Sequence, residues 1–136
     1  MNFIIDFWTQ KNQANGRLKK YLLDIDDRPF RAIVAGTKRV EGRTPTEHDK
    51  TPYSTFEVGD LITFVNNTSG ETLKVRVIFV HHYPGVREML IKEGVNNVLS
   101  SSPKTVDHGI KSYNSLTGYK EGIKKNGIYA IGLEKL

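Results

Sequence analysis

Apolar residues at every second position mark LKKYLLDID, residues 18–26, as a strand with Tyr21, Leu23 and Ile25 on one face. The period then changes. Phe30, Ile33 and Val34 stand at i, i+3 and i+4, preceded by Asp26, Asp27 and Pro29 and followed by Gly36. Carboxylates suit the positive end of a helix dipole, proline fits the first turn, and glycine takes the left-handed stop. A short helix is predicted over 28–35. KRVEGR (38–43) leans towards strand, and 44–56, rich in Thr, Pro, His and Asp, reads as a loop. VGDLITFVN (58–66), entered through a Gly-Asp turn, and LKVRVIFV (73–80) are strands that NTSGE (67–71) joins into a hairpin. In the second of them Val75, Val77 and Phe79 share one face, and Lys74 and Arg76 the other. VREMLIKEG (86–94) spaces Val86, Met89 and Leu90 as a helix does. SPKTVDHGIKSY (102–113) opens another helix, with Ser102-Pro103 as cap and first turn and with Val106, Ile110 and Tyr113 on one side. GIYAIGLEKL (127–136) closes the chain as a strand.

Ahead of these elements, MNFIIDFW (1–8) reads as a strand or an apolar extension, with Trp8 covering a sheet edge or a barrel end. TQKNQANG (9–16) reads as a linker or turn. Strands outnumber helices, and the helices are short connectors. The expected fold is α+β: a small, mainly antiparallel sheet or β-barrel with short peripheral helices. Residues 1–17 form an N-terminal extension to one domain spanning 18–136.

Length and composition fit that picture. The 136 residues suffice for one domain with a core, and 38% hydrophobic with 26% charged residues describes a globular chain. No apolar run reaches the length of a membrane span. The opening segment has no basic residue before it and no small-residue cleavage site after it, so a secretory leader is not expected. With no cysteine in the chain, disulfides, thiolate metal sites and cysteine nucleophiles are excluded. A cytoplasmic location is the expectation. The 20 basic and 15 acidic residues leave a net charge of +5, which favours an anionic partner, nucleic acid being the commonest. Surface lysines that keep the domain soluble account for the same number.

Candidate chemistry concentrates in AGTKRVEGRTPT, residues 35–46. Glu41 and Arg43, two apart, project from the same face of a strand. Lys38 sits at the helix-to-strand junction, where alternation does not yet hold, and can turn towards them. Two cations and one carboxylate around a hollow can hold phosphate, polarise a carbonyl, or accept hydrogen bonds from a base or sugar. The local alternative is a surface ion pair contributing ~0–1 kcal/mol. Elsewhere, Tyr113 and Tyr119 flank NSLTG among Lys111, Lys120, Lys124 and Lys125, so rings can stack on bases while ammonium groups neutralise phosphates. Tyr113 also continues a helical apolar stripe, which puts its ring in the core and leaves Tyr119 as the more exposed aromatic. Ser115 and Thr117 are hydroxyls that can meet phosphate, although a glycine-containing loop needs no such reason for them. His81 and His82 point to opposite faces of a strand and make a poor chelating pair, although one of them can line a cleft. No metal ligand set, cofactor motif or phosphate-binding glycine loop is present in the sequence.

Gly36, Lys38, Glu41 and Arg43 reproduce G-x-K-x-x-E-x-R, and with it the chain resembles the ASCH domain, a relative of the PUA fold. RPFRAIVAG before the motif, VGDLITF after it and the closing YAIGLEKL resemble the family's helix, Gly-Asp strand entry and last strand. VREMLIKEGVNNVL and the segment from GIKSY to YAI are similar to a branch that carries EGR, as Glu41-Gly42-Arg43 does here. The resemblance covers roughly residues 18–136. It implies a small PUA-like β-barrel with a cleft lined by Lys38, Glu41 and Arg43, and a ligand that is RNA, a nucleoside or a nucleotide. One group with this general fold removes the acyl group of N4-acetylcytidine, using a threonine three residues after the lysine. That position is Glu41 here, with Thr37 and Thr44 nearby but off the pattern. If the chain is an enzyme, Lys38 and Glu41 are the implied catalytic pair, acting on an N-acylated nucleoside or on RNA. An adaptor that recruits proteins through its basic face is the remaining class. The self-association of the domain stays open.

Overall fold

The computed structural model describes residues 18–136. The extension and linker over 1–17, Trp8 included, lie outside the described residues. The elements are β1 (Lys20–Ile25), α1 (Asp27–Ala35), β2 (Val40–Arg43), β3 (Leu61–Asn66), β4 (Thr72–Tyr83), α2 (Val86–Glu93), α3 (Val95–Val98), α4 (Val106–Asn114), α5 (Tyr119–Asn126) and β5 (Ile128–Lys135). A 3-10 turn, Tyr53–Thr55, interrupts the loop after β2. One five-stranded sheet runs in the order β1-β3-β4-β5-β2, parallel between β1 and β3 and antiparallel elsewhere. It curls as a half-barrel, so the mainly antiparallel α+β architecture forms as the sequence predicts. The two end strands, β1 and β2, do not pair. Arg43 reaches across instead, its Nη2 donating to the Asp24 carbonyl at 2.8 Å.

Each face of the sheet carries its own core. Leu23, Ile25, Ile62, Phe64, Val75, Val77, Ile131 and Leu133 point inward with Phe30 and Ile33 of α1 and with Tyr53 and Phe56 of the loop. The opposite face packs Val40, Ile128 and Ala130 under Met89, Leu90, Tyr113 and Ile123 of the helices. The alternation along β5 fixes the register of β2: Glu41 lies opposite Ile131 and Arg43 opposite Tyr129, on the inner face, while Gly42 lies opposite Ala130 on the outer.

Several local expectations change. Phe79 does not share the face of Val75 and Val77, because a bulge between Val77 and Phe79 shifts the β4 register. The ring lies instead against Gly132, where an added Cβ would come within 2.3 Å of it. Val34 is exposed, since α1 meets the sheet only through Phe30 and Ile33. Strand β3 begins at Leu61, after the Gly-Asp turn that the sequence predicts at its entry, in which Asp60 accepts the Glu57 amide at 2.9 Å. Ser102-Pro103 precedes α4 rather than capping it, because Thr105 accepts the His108 amide and starts the helix there. Helix α5 has no counterpart in the sequence pattern: its buried side is Gly122 and Ile123 with Tyr119 half-buried, too few apolar positions to stand out in a lysine-rich segment.

Candidate functional site

Three structural decisions bring the motif together. Gly36 takes the left-handed conformation, φ 82°, and its amide bonds back to Ala32 and Ile33. The chain therefore leaves α1 sharply, with the Lys38 amide still bonded to Ala32 O at 3.1 Å. The Arg39 amide then bonds Asn97 O of α3 at 2.8 Å, which sets β2 against the segment after α2.

Lys38 Nζ lies 3.2 Å from Glu41 Oε1, and Arg43 Nε donates to Glu41 Oε2 at 2.7 Å. The side chains of Lys38, Glu41 and Arg43 are thus gathered at one place. Lys38 also donates to Val40 O at 2.8 Å and to Val98 O at 2.5 Å. An ammonium has three protons, so all of them are committed to the protein. Arg43 Nη1 meets Tyr53 Oη at 3.4 Å, and Tyr53 donates to Asp49 Oδ2 at 2.6 Å. Asp49 is itself held by the Thr51 amide and hydroxyl at 3.0 and 2.6 Å. Behind the guanidinium lies the Phe64 ring.

Burial sets the electrostatics. Lys38 is 4% exposed and Glu41 7%. Burial first of all lowers the lysine pKa, more than Glu41 raises it. For Glu41, burial pushes upward, but the charges of Arg43 and Lys38 and their hydrogen bonds outweigh it and hold the carboxyl below its usual range. Burial likewise works against the Arg43 charge, and the Glu41 carboxylate more than offsets it. Tyr53 is pushed up to about 12, mainly by burial, and the hydroxyls of Tyr113 and Tyr119 are raised for the same reason. All three phenols stay protonated at neutral pH.

A pH dependence follows. Glu41 titrates lower in the folded chain than in the unfolded one, where a glutamate has a pKa of about 4.3. Its contribution to stability is present above that value and is lost as pH falls through the folded value. Urea unfolding at a series of pH values should show an acid loss that Glu41→Gln makes shallower. An identical acid limb in that variant would assign the loss to other carboxylates, Asp49 among them.

The trio forms the floor of a cleft of about 560 Å³, within the range of small-ligand sites. It opens between the edges of β1 and β2, which have no further strand partner among the described residues. One wall is Asp24, Ile25, Asp26 and Arg28; the other is Val98 to Ser101 with Ser112, Tyr113, Thr117 and Tyr119. Tyr113 and Tyr119 both reach it, with near-parallel rings whose centroids are 6.3 Å apart. Tyr113 is buried, and Tyr119 is half-buried at the start of α5 instead of standing free.

Other sequence candidates fall elsewhere. Neither His81 nor His82 lines the cleft, because β4 sits mid-sheet, away from the open edges. His81 pairs with Glu93 at 2.6 Å and His82 with Asn126 O at 2.7 Å. Thr117 lines the cleft, whereas Ser115 bonds Ser112 O at 2.6 Å. Lys111, Lys120, Lys124 and Lys125 are exposed outside it. Thr44 is fully buried, and Thr37 is exposed beyond α1. Sequence reasoning missed Tyr53 and Asp49 behind Arg43, as well as the serines at 100, 101 and 112. Their positions depend on loops and long-range packing that leave no periodic trace.

Comparison with known families matches the ASCH domain model over residues 23–136. The crystal structure of hypothetical protein PH0355 is similar, with a TM-score of 0.72 and 33% identity over 86% of this chain and 99% of that one. The solution NMR structure of protein PF0455 from Pyrococcus furiosus is similar with a TM-score of 0.65 and 33% identity, over 86% of this chain and 97% of the other. No curated protein matches the chain. Among the described residues no helix is long and apolar enough to cross a membrane.

Proposed function

This chain belongs to the ASCH domain family, and on that premise we propose that its cleft binds single-stranded RNA or a nucleotide-sized ligand through Glu41 and Arg43. The observation that carries the reading is the pairing of a buried carboxylate with a half-buried guanidinium on the floor of an open cleft. Glu41 uses one lone pair of each oxygen on its two cations. Among the described residues Arg43 commits Nε and one N–H of each terminal nitrogen, and keeps one N–H on each. An acceptor therefore lies beside a donor, the pattern that matches the edge of an unpaired base. Lys38, with every proton committed, acts as the clamp that aims Glu41 instead of as a free phosphate ligand. Phosphates would follow the exposed lysines of α4 and α5, beyond the cleft mouth at Tyr119.

Fluorescence titration with a single-stranded RNA oligomer at several salt concentrations tests this. Affinity should fall as salt rises, because phosphate contacts release counterions. Arg43→Lys should weaken binding by about 10-fold or more, since a lysine cannot keep the two-pronged contact. RNA binding that is undetectable at low salt, or unchanged by that substitution, overturns the reading.

A second reading is favoured by the lowered pKa of Lys38, which suits a lysine to proton transfer. In it the cleft hydrolyses an N-acylated nucleoside or RNA, with Lys38 and Glu41 as the working pair. Product formed from either substrate and abolished by Lys38→Ala and Glu41→Gln supports it; turnover indifferent to both removes it. This reading leaves the attacking group unnamed, because the threonine position of the acyl-removing relatives is Glu41 here.

A further inference from the structure

Ser101 and His108 form a hydrogen-bonded pair beside the same cleft. Ser101 Oγ lies 3.1 Å from His108 Nε2, and Ser101 lines the opening. Both residues are half-buried. His108 is on the first turn of α4, where its amide donates to Thr105 Oγ1 at 3.2 Å, so the cap that starts the helix also places the imidazole. A hydroxyl within hydrogen-bond reach of an imidazole nitrogen is the arrangement of an activated nucleophile. On a convex surface such a contact has no chemical consequence. Here it faces a hollow large enough for a substrate.

We propose that the cleft is a site of acyl transfer in which Ser101 is the nucleophile and His108 its general base, acting on a carboxylic ester or activated amide. The proposal rests on the reading of this cleft as a ligand site. In the Nδ1–H tautomer, His108 Nε2 accepts the Ser101 proton while Oγ adds to the acyl carbon and the carbonyl electron pair moves onto oxygen. Collapse of that tetrahedral oxyanion breaks the bond to the alcohol or amine, which leaves with the proton from Nε2. Water then adds to the acyl-serine with the same base, the acid departs, and Ser101 regains its hydrogen. Among the described residues no carboxylate is hydrogen-bonded to His108 Nδ1. Losing that orienting acid costs about 10⁴-fold in a full triad, so slow turnover is expected.

p-Nitrophenyl acetate is the probe, applied to the full chain, because so small an ester needs no recognition by the cleft. Nitrophenolate release is followed optically, and the acetyl group is located by peptide mass spectrometry. Ser101 should carry it, Ser101→Ala should abolish that label, and His108→Asn should slow labelling by about 10²-fold at unchanged melting temperature. An unmodified Ser101, or equal labelling rates in His108→Asn, overturns the proposal. A chain that binds RNA with Ser101 unlabelled overturns this proposal alone. A labelled Ser101 in a chain that binds no RNA overturns only the binding reading.

Discussion

Glu41→Ala is expected to lower the stability of the domain by about 3–5 kcal/mol, the usual cost of removing one member of a buried charged set. The carboxylate sits between Lys38 Nζ at 3.2 Å and Arg43 Nε at 2.7 Å, both largely out of water. Without it, two cations share a low-dielectric site with no counter-charge. At roughly 3–5 °C per kcal/mol for a domain of this size, the melting temperature should fall by roughly 9–25 °C. The loss should depend on pH in a definite direction. Lys38 already titrates below the ordinary lysine value, and removing Glu41 removes its main source of compensation. A lysine whose folded pKa is depressed destabilises the fold while it is charged. The variant should therefore recover stability as pH rises through the folded value towards the unfolded pKa of about 10.4. Calorimetry at pH 7 and pH 9.5 measures both effects. A melting temperature within a few degrees of the parent at pH 7 would mean that the trio is hydrated and contributes no more than a surface pair.

Gly42→Ala should cost about 1–3 kcal/mol and weaken ligand binding at the same time. The new methyl would lie 2.5 Å from Tyr113 Oη, 2.9 Å from its Cζ and 3.1 Å from Met89 Cε. The Tyr113 ring is buried against the outer core and stacked near Tyr119, so it cannot retreat without disturbing a wall of the cleft. Tyr113→Phe removes the nearest clashing atom. The double variant should therefore be more stable than the sum of the single changes predicts, a coupling that a double-mutant cycle reads directly. Strict additivity in thermal melts would show that the hydroxyl and the methyl do not compete for the same space.

The elements that the sequence made legible are those that obey one strong local rule. Tyr21, Leu23 and Ile25 alternate along β1 as periodicity requires, and Gly36 ends α1 in the conformation that glycine favours. The Asn67-to-Glu71 turn joins β3 and β4 as the composition suggests. What failed was governed from a distance. The bulge at Ile78 turns Phe79 to the other face because Gly132, on the neighbouring strand, leaves room for its ring. Helix α5 forms over a polar segment because Gly122 can settle against Pro45 O, where a Cβ would come within 2.6 Å.

The candidate site divides in the same way. Spacing alone put Glu41 and Arg43 on one face, since strand alternation is a property of the backbone. Spacing could not say that this face turns inward, nor that Lys38 would spend its protons on Val40 O and Val98 O. The contact with Val98 joins residues 60 apart in sequence. The tyrosine and aspartate behind Arg43, and the serine and histidine on the opposite wall, are each local pairs, four and seven residues apart, and they come to one cleft only because the sheet curls and the helices pack over its open side. The amino-acid sequence by itself determined which residues carry charge and which side of each strand they occupy, because both are fixed within a few bonds. Only the tertiary structure decided which of those charges lost their water and which neighbours replaced it, because desolvation belongs to the assembled fold and to no single segment.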